Sequence, residues 1–571
     1  MRYIKKLKIL EPNPAIVERI RRECGVSPIV ARVLANRNLR NADIARRFLN
    51  PTLDNLGDPA LLPDGEKAAD MILSAIESGE KILIYGDYDV DGITSGALMT
   101  RFLRCLNGDA ECMLPERDNG GYDLNSIAVE KAAAMGVSLI ITCDCGSKAF
   151  EAVEAARNQG MKIIITDHHT VGDRLPSADA VVNPKRPDSA YFPNLAGVGV
   201  AFTLCRLIVR RAGLAEDSFV RSFIDLAALG TVADMVPLLG ENRVIAANGL
   251  PRMAESKKEG FRALMSSVDN KPVTSETISF FFAPRINSAG RMKTASIALD
   301  MFLTKDPAEA ARLCGEITDL NEQRKECQKK IFDEAERMML ADPDFDKKKV
   351  VVLAGKNWHR GIIGIVSGNI TEKYGKPSVI LTNTGDADLW VGSARSINTF
   401  SLVKALGDMK ELFVRFGGHS LAAGLTLHKD NIAELDRRLN EIADRELTEA
   451  DVEAVINLDA ELEPSDCTFD LVNELKTLEP FGTSNPEPLF LLRNARIVET
   501  RIFKDSHLSM TLDVPGGGFL KAIAFRKADA AAELGIEAGS RADICFNLRI
   551  NEWNGNANVQ LNVEDIRLSE Q

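Results

Sequence analysis

Lys81-Ile82-Leu83-Ile84-Tyr85-Gly86-Asp87-Tyr88-Asp89-Val90-Asp91-Gly92 is a short apolar run that empties into an acidic loop. A continuous apolar run bounded by turn residues is the pattern of a strand covered on both faces. Ser95-Gly96-Ala97-Leu98-Met99 follows with helical character, and the alternation then repeats. Asn125 to Ala134 is helical in pattern and stops at Gly136, a suitable C′ residue. Val137-Ser138-Leu139-Ile140-Ile141 reads as a buried strand, Lys148 to Asn158 as a helix ending at Gly160, and Lys162-Ile163-Ile164-Ile165 as the next strand. Ala180-Val181-Val182 supplies one more. Strands alternating with helices of about 10–15 residues build βαβ units and a parallel sheet, so the fold class is α/β.

Chemistry sits where these strands end. The first empties into Asp87-Tyr88-Asp89-Val90-Asp91-Gly92, the second into Thr142-Cys143-Asp144-Cys145-Gly146, the third into Thr166-Asp167-His168-His169. An open parallel sheet binds ligands just beyond the carboxyl ends of its strands. Asp89, Asp91, Asp144, His168 and His169 are thereby aimed into one crevice. So many carboxylates repel one another unless protonated or bridged by cations. Carboxylate oxygens with one or two imidazoles suit Mn²⁺ or Mg²⁺ better than zinc, whose structural sites favour thiolates. The chain has only six histidines, and two of them are adjacent here. Asp234, in Leu229-Gly230-Thr231-Val232-Ala233-Asp234-Met235-Val236-Pro237, is a fourth acid in an apolar stretch where an unpaired carboxylate would be costly. A calcium loop starting at Asp87 would need Glu at its twelfth position and finds Leu98. Neither of the two common glycine-rich nucleotide fingerprints is present. Cys143 and Cys145, flanking Asp144, read as small packing residues.

The rest of the chain extends the organisation. Residues 1–60 form a polar N-terminal helical segment, and 61–305 hold the parallel sheet. A long charged helix occupies 306–345, closed by Pro343, with Arg324, Lys325, Lys329 and Lys330 on a solvated face. A second α/β segment, 346–450, opens with Lys349-Val350-Val351-Val352-Leu353. Residues 455–571 are rich in short strands and suggest a small barrel. At 571 residues, with 45% hydrophobic and 27% charged, the composition is that of a multidomain globular protein. No apolar run approaches the roughly 20 residues of a membrane span. The basic start, Met1-Arg2-Tyr3-Ile4-Lys5-Lys6, lacks an apolar h-region, and ten cysteines show no C-x2-C spacing. Both point to the cytoplasm. A net charge of −12 gives no basic footprint for nucleic acid, although a local basic channel is compatible with it.

The ordered set Asp89-Val90-Asp91-Gly92, Asp144-Cys145-Gly146, Asp167-His168-His169 and Asp234 resembles the signature motifs of the DHH phosphoesterase family. Gly417-Gly418-His419 is similar to the G-G-H of that family's associated DHHA1 domain. Asn183-Pro184-Lys185-Arg186, Gly197-Val198-Gly199-Val200-Ala201-Phe202, Arg285-Ile286-Asn287-Ser288-Ala289-Gly290-Arg291, Trp358-His359-Arg360-Gly361-Ile362-Ile363-Gly364-Ile365 and Glu479-Pro480-Phe481-Gly482 resemble the RecJ branch more closely. The resemblance runs from about residue 20 to the end.

It implies a DHH domain, a connecting helix, a DHHA1 domain and a C-terminal OB-like barrel. The implied activity is 5′→3′ hydrolysis of single-stranded DNA to mononucleotides, in repair and recombination. Asp91, Asp144, His168 and Asp234 would hold one divalent cation. Asp89 and Asp144 would hold the other, with Asp87 nearby and Asp144 bridging. His169, backed by Asp167, would face the scissile phosphate. Arg117 would lie on the strand's path, while Ser393 and Arg395 with Arg285 or Arg291 would grip the 5′-terminal phosphate. Gly417, Gly418 and His419 would meet a substrate phosphate. The cleft between the two α/β domains would admit one strand and exclude a duplex. A helicase and a single-strand-binding protein are the implied partners, and a monomer is expected.

Two departures stand out: Gly120-Gly121-Tyr122-Asp123 where the family usually reads E-G-Y-G, and Cys143 before the second-motif Asp. In the barrel, Phe503, Lys504, His507, Lys521, Phe525, Arg526, Arg549 and Trp553 interleave aromatic and basic side chains, which suits stacking of single strands. Phe525 alternates with Ile523 and could equally be core. The competing readings are a DHH phosphodiesterase of oligoribonucleotides, cyclic dinucleotides or pyrophosphate, and an inactive DNA-binding scaffold. A scaffold would have shed metal-site acids that this chain retains.

Overall fold

The computed structural model describes residues 6–115, 123–269, 272–383, 385, 388–448, 451, 455–514, 518–553 and 556–569. The chain divides into a larger unit, Leu7–Asn287 with Ala295–Cys314 and Asn457–Gln571, and a smaller one, Met1–Lys6 with Ser288–Thr294 and Gly315–Ile456.

After a short strand Lys6–Ile9 (β1), three helices follow: Pro14–Cys24 (α1), Pro28–Asn36 (α2) and Ala42–Leu49 (α3). Asn13, Ser27 and Asn41 cap them, each side chain accepting a backbone N–H of the first turn. Gly65–Glu77 (α4) leads into the central sheet of Ile82–Gly86 (β2), Ala110–Met113 (β3), Leu139–Cys143 (β4), Lys162–Thr166 (β5) and Ala180–Val182 (β6). All pairings are parallel, in the order β3-β2-β4-β5-β6. Strand β3 was not anticipated. Ala-Glu-Cys-Met is short, half-buried and pairs only with β2 at the sheet's edge, so it carries no apolar run. Val90–Cys105 (α5), Ser126–Ala134 (α6) and Phe150–Asn158 (α7) are the crossovers. One face of the sheet packs Leu83, Ile140, Ile163 and Ile165 against Val129, Ala132 and Val153 of α6 and α7. Helix α5 is buried at nearly every position, beside Gly197–Arg211 (α8) and Glu216–Ala233 (α9), and Gly240–Ala254 (α10) packs on α9. No helix among the described residues is long and apolar enough to cross a membrane.

The 34-residue helix Pro307–Leu340 is the expected long connector. The smaller unit carries a mixed sheet of Val351–Gly355 (β7), Ser378–Asn383 (β8), Leu389–Arg395 (β9), Phe413–Gly418 (β10) and Ala422–His428 (β11), in the order β10-β11-β9-β8-β7. After Val455–Leu458 (β12), the C-terminal strands are Ala460–Glu461 (β13), Phe490–Phe503 (β14), His507–Asp513 (β15), Phe519–Ala524 (β16), Arg541–Trp553 (β17) and Asn556–Leu568 (β18). The pairings β14-β15-β16-β18-β17 return to β14 and close a five-stranded barrel.

The barrel does not complete its core alone. Ile20, Val30, Val33, Leu34 and Phe48 from α1–α3 share one cluster with Leu471, Phe490, Ile544 and Phe546. Buried Arg37 forks onto Asp459 at 2.7 and 3.1 Å. Arg243 of α10, 1% exposed, donates to the carbonyls of Phe48, Thr477, Leu478, Glu479 and Pro480 and lies 3.7 Å from the Phe48 ring centroid. One guanidinium thus ties the N-terminal helices, α10 and the approach to the barrel together.

Candidate metal centre

Four strands of the central sheet finish level. Gly86 pairs with Cys143, Cys143 with Thr166, and Thr166 with Val182. The next residue on each strand is Asp87, Asp144, Asp167 and Asn183, which therefore form a row along the sheet's edge. Asp144 turns out of its strand with φ 65°. Asp89 caps α5 by accepting the Gly92 N–H at 3.1 Å. Gly92 itself is forced: a Cβ there would stand 2.4 Å from the Asp87 backbone. Asp91 accepts the Gly197 and Val198 N–H groups of the first turn of α8 at 2.6 and 2.7 Å, a favourable end for an anion. A Cβ on Gly197 would lie 2.6 Å from Oδ1 of Asp144, so helix and acid meet there only through glycine. Asp234 ends α9.

The structure gathers the expected ligands into two groups. The donor atoms of Asp91, His168 and Asp234 lie within 4.8 Å of one another, as do those of Asp87, Asp89 and Asp144. Asp144 also groups with His168 and His169, which puts it between the two sets. His168 decides what these groups need. Its Nδ1 lies 2.9 Å from the Leu195 carbonyl, which can only accept, so Nδ1 carries the hydrogen. Burial, then the charge of His169, push its pKa down to about 4, leaving the ring neutral. The Nε2 lone pair therefore faces Asp144 at 3.1 Å, Asp234 at 3.7 Å and Asp91 at 4.0 Å.

A lone pair surrounded by three carboxylates is repulsive unless protons or a cation lie among them. Oδ1 of Asp144 and Oδ2 of Asp234 are, moreover, buried without a hydrogen-bond partner. Burial first, and then repulsion between neighbours, raise Asp91 to about 7, Asp87 to about 8, Asp234 to about 9 and Asp144 far above the carboxylate range. Buried oxygens with one imidazole, short of positive charge, fit hard divalent cations of the Mn²⁺ or Mg²⁺ kind.

His169 faces differently. Its Nδ1 meets Oδ1 of Asp167 at 2.8 Å, and its side chain is 42% exposed. Burial works against its charge, but the hydrogen bond and charge of Asp167 outweigh it and carry the pKa up to about 9. Asp167 also accepts the His168 and His169 backbone N–H groups and that of Ser147. Burial alone would raise Asp167, yet its bonds to His169 and Ser147 hold it well below the ordinary range. Asn183, fully buried, donates to Oγ of Ser147 and to the His169 carbonyl, both at 2.9 Å. Asn183, Ser147, Leu195 and Gly197 were not chosen as site residues from sequence. Asn183 had a signal, since it directly follows a strand in the row.

The remaining candidates are distributed as follows. Arg117 and the Gly120-Gly121-Tyr122 departure lie outside the described residues, as does the Trp553 side chain. Arg285 donates to the Phe281 carbonyl at 2.8 Å, and two residues on, Asn287 accepts the Val90 N–H at 3.1 Å, the first N–H of α5. In the smaller unit, Arg291 donates to the Gly361 carbonyl at 3.1 Å and Arg395 to Oγ of Ser393 at 3.3 Å. A Cβ on Gly364 would stand 2.8 Å from that Oγ, so Arg291, Ser393 and Arg395 converge on the start of helix Ile363–Tyr374. Gly417 and Gly418 end β10, and the His419 N–H donates to the Ala422 carbonyl at 2.8 Å. On the barrel, His507 sits edge-on between Phe503 and Phe525, at 5.1 and 5.4 Å. Phe525 is 51% exposed and so belongs to the surface. Arg549 is taken by Glu487 and Glu276, and Lys521 by Thr511.

Comparison with known proteins agrees with this geometry. Residues 81–231 match the DHH family, N-terminal domain; 347–445 match the DHHA1 domain; and 458–565 match the RecJ OB domain. The chain is 37% identical over 568 residues to the single-stranded-DNA-specific exonuclease RecJ of Bacillus subtilis, covering 99% of this chain and 71% of that one. It is similar to the crystal structure of RecJ from Thermus thermophilus in complex with Mn²⁺, with a TM-score of 0.84, 30% identity, and coverage of 99% and 80%. The Mg²⁺ complex of the same protein gives a TM-score of 0.78 and 29% identity, with coverage of 99% and 79%.

Proposed function

The chain belongs to the RecJ family of DHH phosphoesterases, and from that premise we propose how this member works. It is a metal-dependent hydrolase that degrades single-stranded DNA 5′→3′, using Mn²⁺ or Mg²⁺. The observation that carries the site is His168, whose Nε2 lone pair is turned into a cluster of buried carboxylates that must be either protonated or bridged by cations.

Asp91, His168 and Asp234 would hold one cation and Asp87 and Asp89 the other, with Asp144 shared. Such a pair of cations would supply Lewis acidity, for a nucleophilic water and for charge on the phosphate. The residues themselves do the positioning. The helix dipole of α8 and its first two N–H groups fix Asp91 so that its remaining lone pairs face the site. Asp167 grips His169 by Nδ1, which leaves Nε2–H to donate to a phosphate oxygen as charge builds there. Asn183 and Ser147 lock that pair to the sheet's edge.

Arg291, Ser393 and Arg395 take the 5′-terminal phosphate, and Gly417, Gly418 and His419 meet a substrate phosphate, with Arg117 on the strand's path. A held 5′ end stops further threading, which makes cleavage exonucleolytic. The working division of the chain is 61–305 catalytic, 306–345 connecting, 346–450 DHHA1 and 455–571 barrel. The enzyme acts in the cytoplasm as a monomer, fed by a helicase and a single-strand-binding protein. Its ten cysteines, none of them in a disulfide, support the reducing compartment.

The test is a set of oligonucleotides labelled at the 5′ or 3′ end, single- and double-stranded, offered with Mn²⁺, Mg²⁺ or excess EDTA. Mononucleotides released from the 5′ end of single strands, and only with metal, are expected. Asp144→Ala should abolish release and spare some binding. Undiminished degradation in EDTA, or by Asp144→Ala, would remove the assignment. Preference for a dinucleotide or cyclic dinucleotide over a long strand would replace it with another DHH activity.

A further inference from the structure

The two ligand groups are unevenly exposed to solvent. The side chains of Asp91, Asp144 and His168 are 0%, 3% and 8% exposed, whereas Asp234 is 21% and His169 42% exposed. A phosphodiester reaches the centre past its exposed members, Asp234 and His169. The residue joined to Asp234 there is Met235, which is 70% exposed.

Met235 has an unusual backbone. Asp234 ends α9 in helical geometry, its N–H bonded to the Gly230 carbonyl at 2.8 Å, and Met235 follows with φ 61°. That left-handed turn is the ordinary way to stop a helix, and glycine is the residue that does it without strain. The chain uses glycine for it after α1 and after helix Ile363–Tyr374, at Gly25 and Gly375. Among the described residues with left-handed backbone, most of the non-glycines are Asn or Asp, and Met235 is the single apolar one. The position accepts strain and exposes a large apolar side chain to water, one peptide bond from a ligand of the metal centre. No packing in the fold accounts for a side chain so exposed. Strained residues cluster where a ligand is held.

We propose that Met235 is a substrate-contact residue, its thioether arm packing against the base of the terminal nucleotide while that nucleotide's phosphate occupies the metal centre. The inference rests on the exonuclease reading above and deepens it. The apolar parts of a DNA strand are base faces and sugar edges, and a methionine sulfur packs favourably on aromatic rings. An unbranched, flexible side chain fits purines and pyrimidines alike, so such a support would be indifferent to sequence.

The experiment uses the full chain loaded with Mn²⁺, as wild type, Met235→Gly and Met235→Leu. Each is given two 5′-phosphorylated single strands, one ordinary and one with an abasic tetrahydrofuran unit as its first residue. Met235→Gly should raise KM for the ordinary strand by about tenfold, the upper range of a sulfur–ring contact. Its kcat, Mn²⁺ affinity and melting temperature should be unchanged, or the melting temperature higher because strain is relieved. On the abasic strand wild type and Met235→Gly should be equal, and Met235→Leu should behave like wild type on both. An unchanged KM, an equal loss on both strands, or a loss of Mn²⁺ affinity that tracks the KM would overturn the inference. Wild-type protein inert towards both strands would overturn the exonuclease reading and this inference with it.

Discussion

Metal binding should release protons, and the number follows from the site. Without cations, burial and crowding keep Asp91, Asp87 and Asp234 protonated up to about pH 7, 8 and 9, and Asp144 beyond. In an unfolded chain each would ionise near 4. Between those limits the folded, metal-free protein binds more protons than the unfolded one, so its stability falls as pH rises through the window. Cations replace the protons, because coordinating carboxylates must be ionised. At pH 7 at least two of the four acids hold a proton, and each displaced proton changes the binding constant about tenfold per pH unit. Lowering the pH from 7.5 to 6.5 should therefore weaken overall Mn²⁺ binding by about 100-fold, or ~2.7 kcal/mol.

Calorimetric titration of EDTA-stripped protein counts these protons directly. The apparent enthalpy is measured in two buffers of different ionisation enthalpy, and the difference gives the protons released. The rise in melting temperature on adding Mn²⁺ should also grow with pH. Release of less than half a proton per cation, with affinity flat between pH 6.5 and 7.5, would refute the reasoning: the carboxylates would already be ionised, and the crowding inferred from His168 would be wrong.

Asp167→Asn removes the charge that holds His169 protonated to about pH 9, so the His169 pKa should drop towards its ordinary value. The basic limb of the pH–rate profile should move down by roughly 2.5 units, with about 30-fold loss at pH 8 and almost none at pH 6; a profile of unchanged shape would deny His169 a role as proton donor. Gly197→Ala puts a methyl 2.6 Å from Oδ1 of Asp144. It should lower Mn²⁺ affinity by about 10–100-fold, the usual cost of disturbing a ligand's support, read by the same titration. Arg243→Ala takes a donor from five backbone carbonyls at a fully buried position, of which Leu478 and Pro480 keep Asn485 Nδ2. A loss of at least ~3 kcal/mol in urea unfolding is expected, and less than about 1 kcal/mol would mean that water replaces the guanidinium.

How much of this could be read beforehand depended on whether the cause was local. The strands β2, β4 and β5 announce themselves because a parallel strand covered on both faces needs an unbroken apolar run, and the acids at their ends are out of place in any other setting. Edge strand β3 needs no such run and left no trace. The candidate metal ligands were legible because carboxylate and imidazole are rare beside apolar strands, and Asp89, Asp91, Asp144, His168 and Asp234 do converge. What holds them was not legible. The Leu195 carbonyl that fixes the His168 tautomer and the Gly197 and Val198 N–H groups that seat Asp91 are backbone atoms, and any residue supplies those. Their partners lie 27 and 106–107 positions away, so only the folded chain reveals the pairing. The glycines carry part of that information. Gly92 and Gly197 stand where another backbone or a carboxylate approaches too closely for a Cβ, and each is part of a motif for steric reasons, with no chemistry of its own. The sharing of a core between α1–α3 and the barrel was hidden for the same reason, because amphipathic helices state that they need a partner and never which one. The metal centre, then, is specified twice. Side chains name the chemistry, and a scaffold of helix N-termini, carbonyls and missing Cβ atoms sets where each lone pair faces. Substitutions in the second set should cost metal affinity and tautomer control while every ligand remains in the sequence, which is why Gly197→Ala is a sharper probe of the site than loss of any one acid.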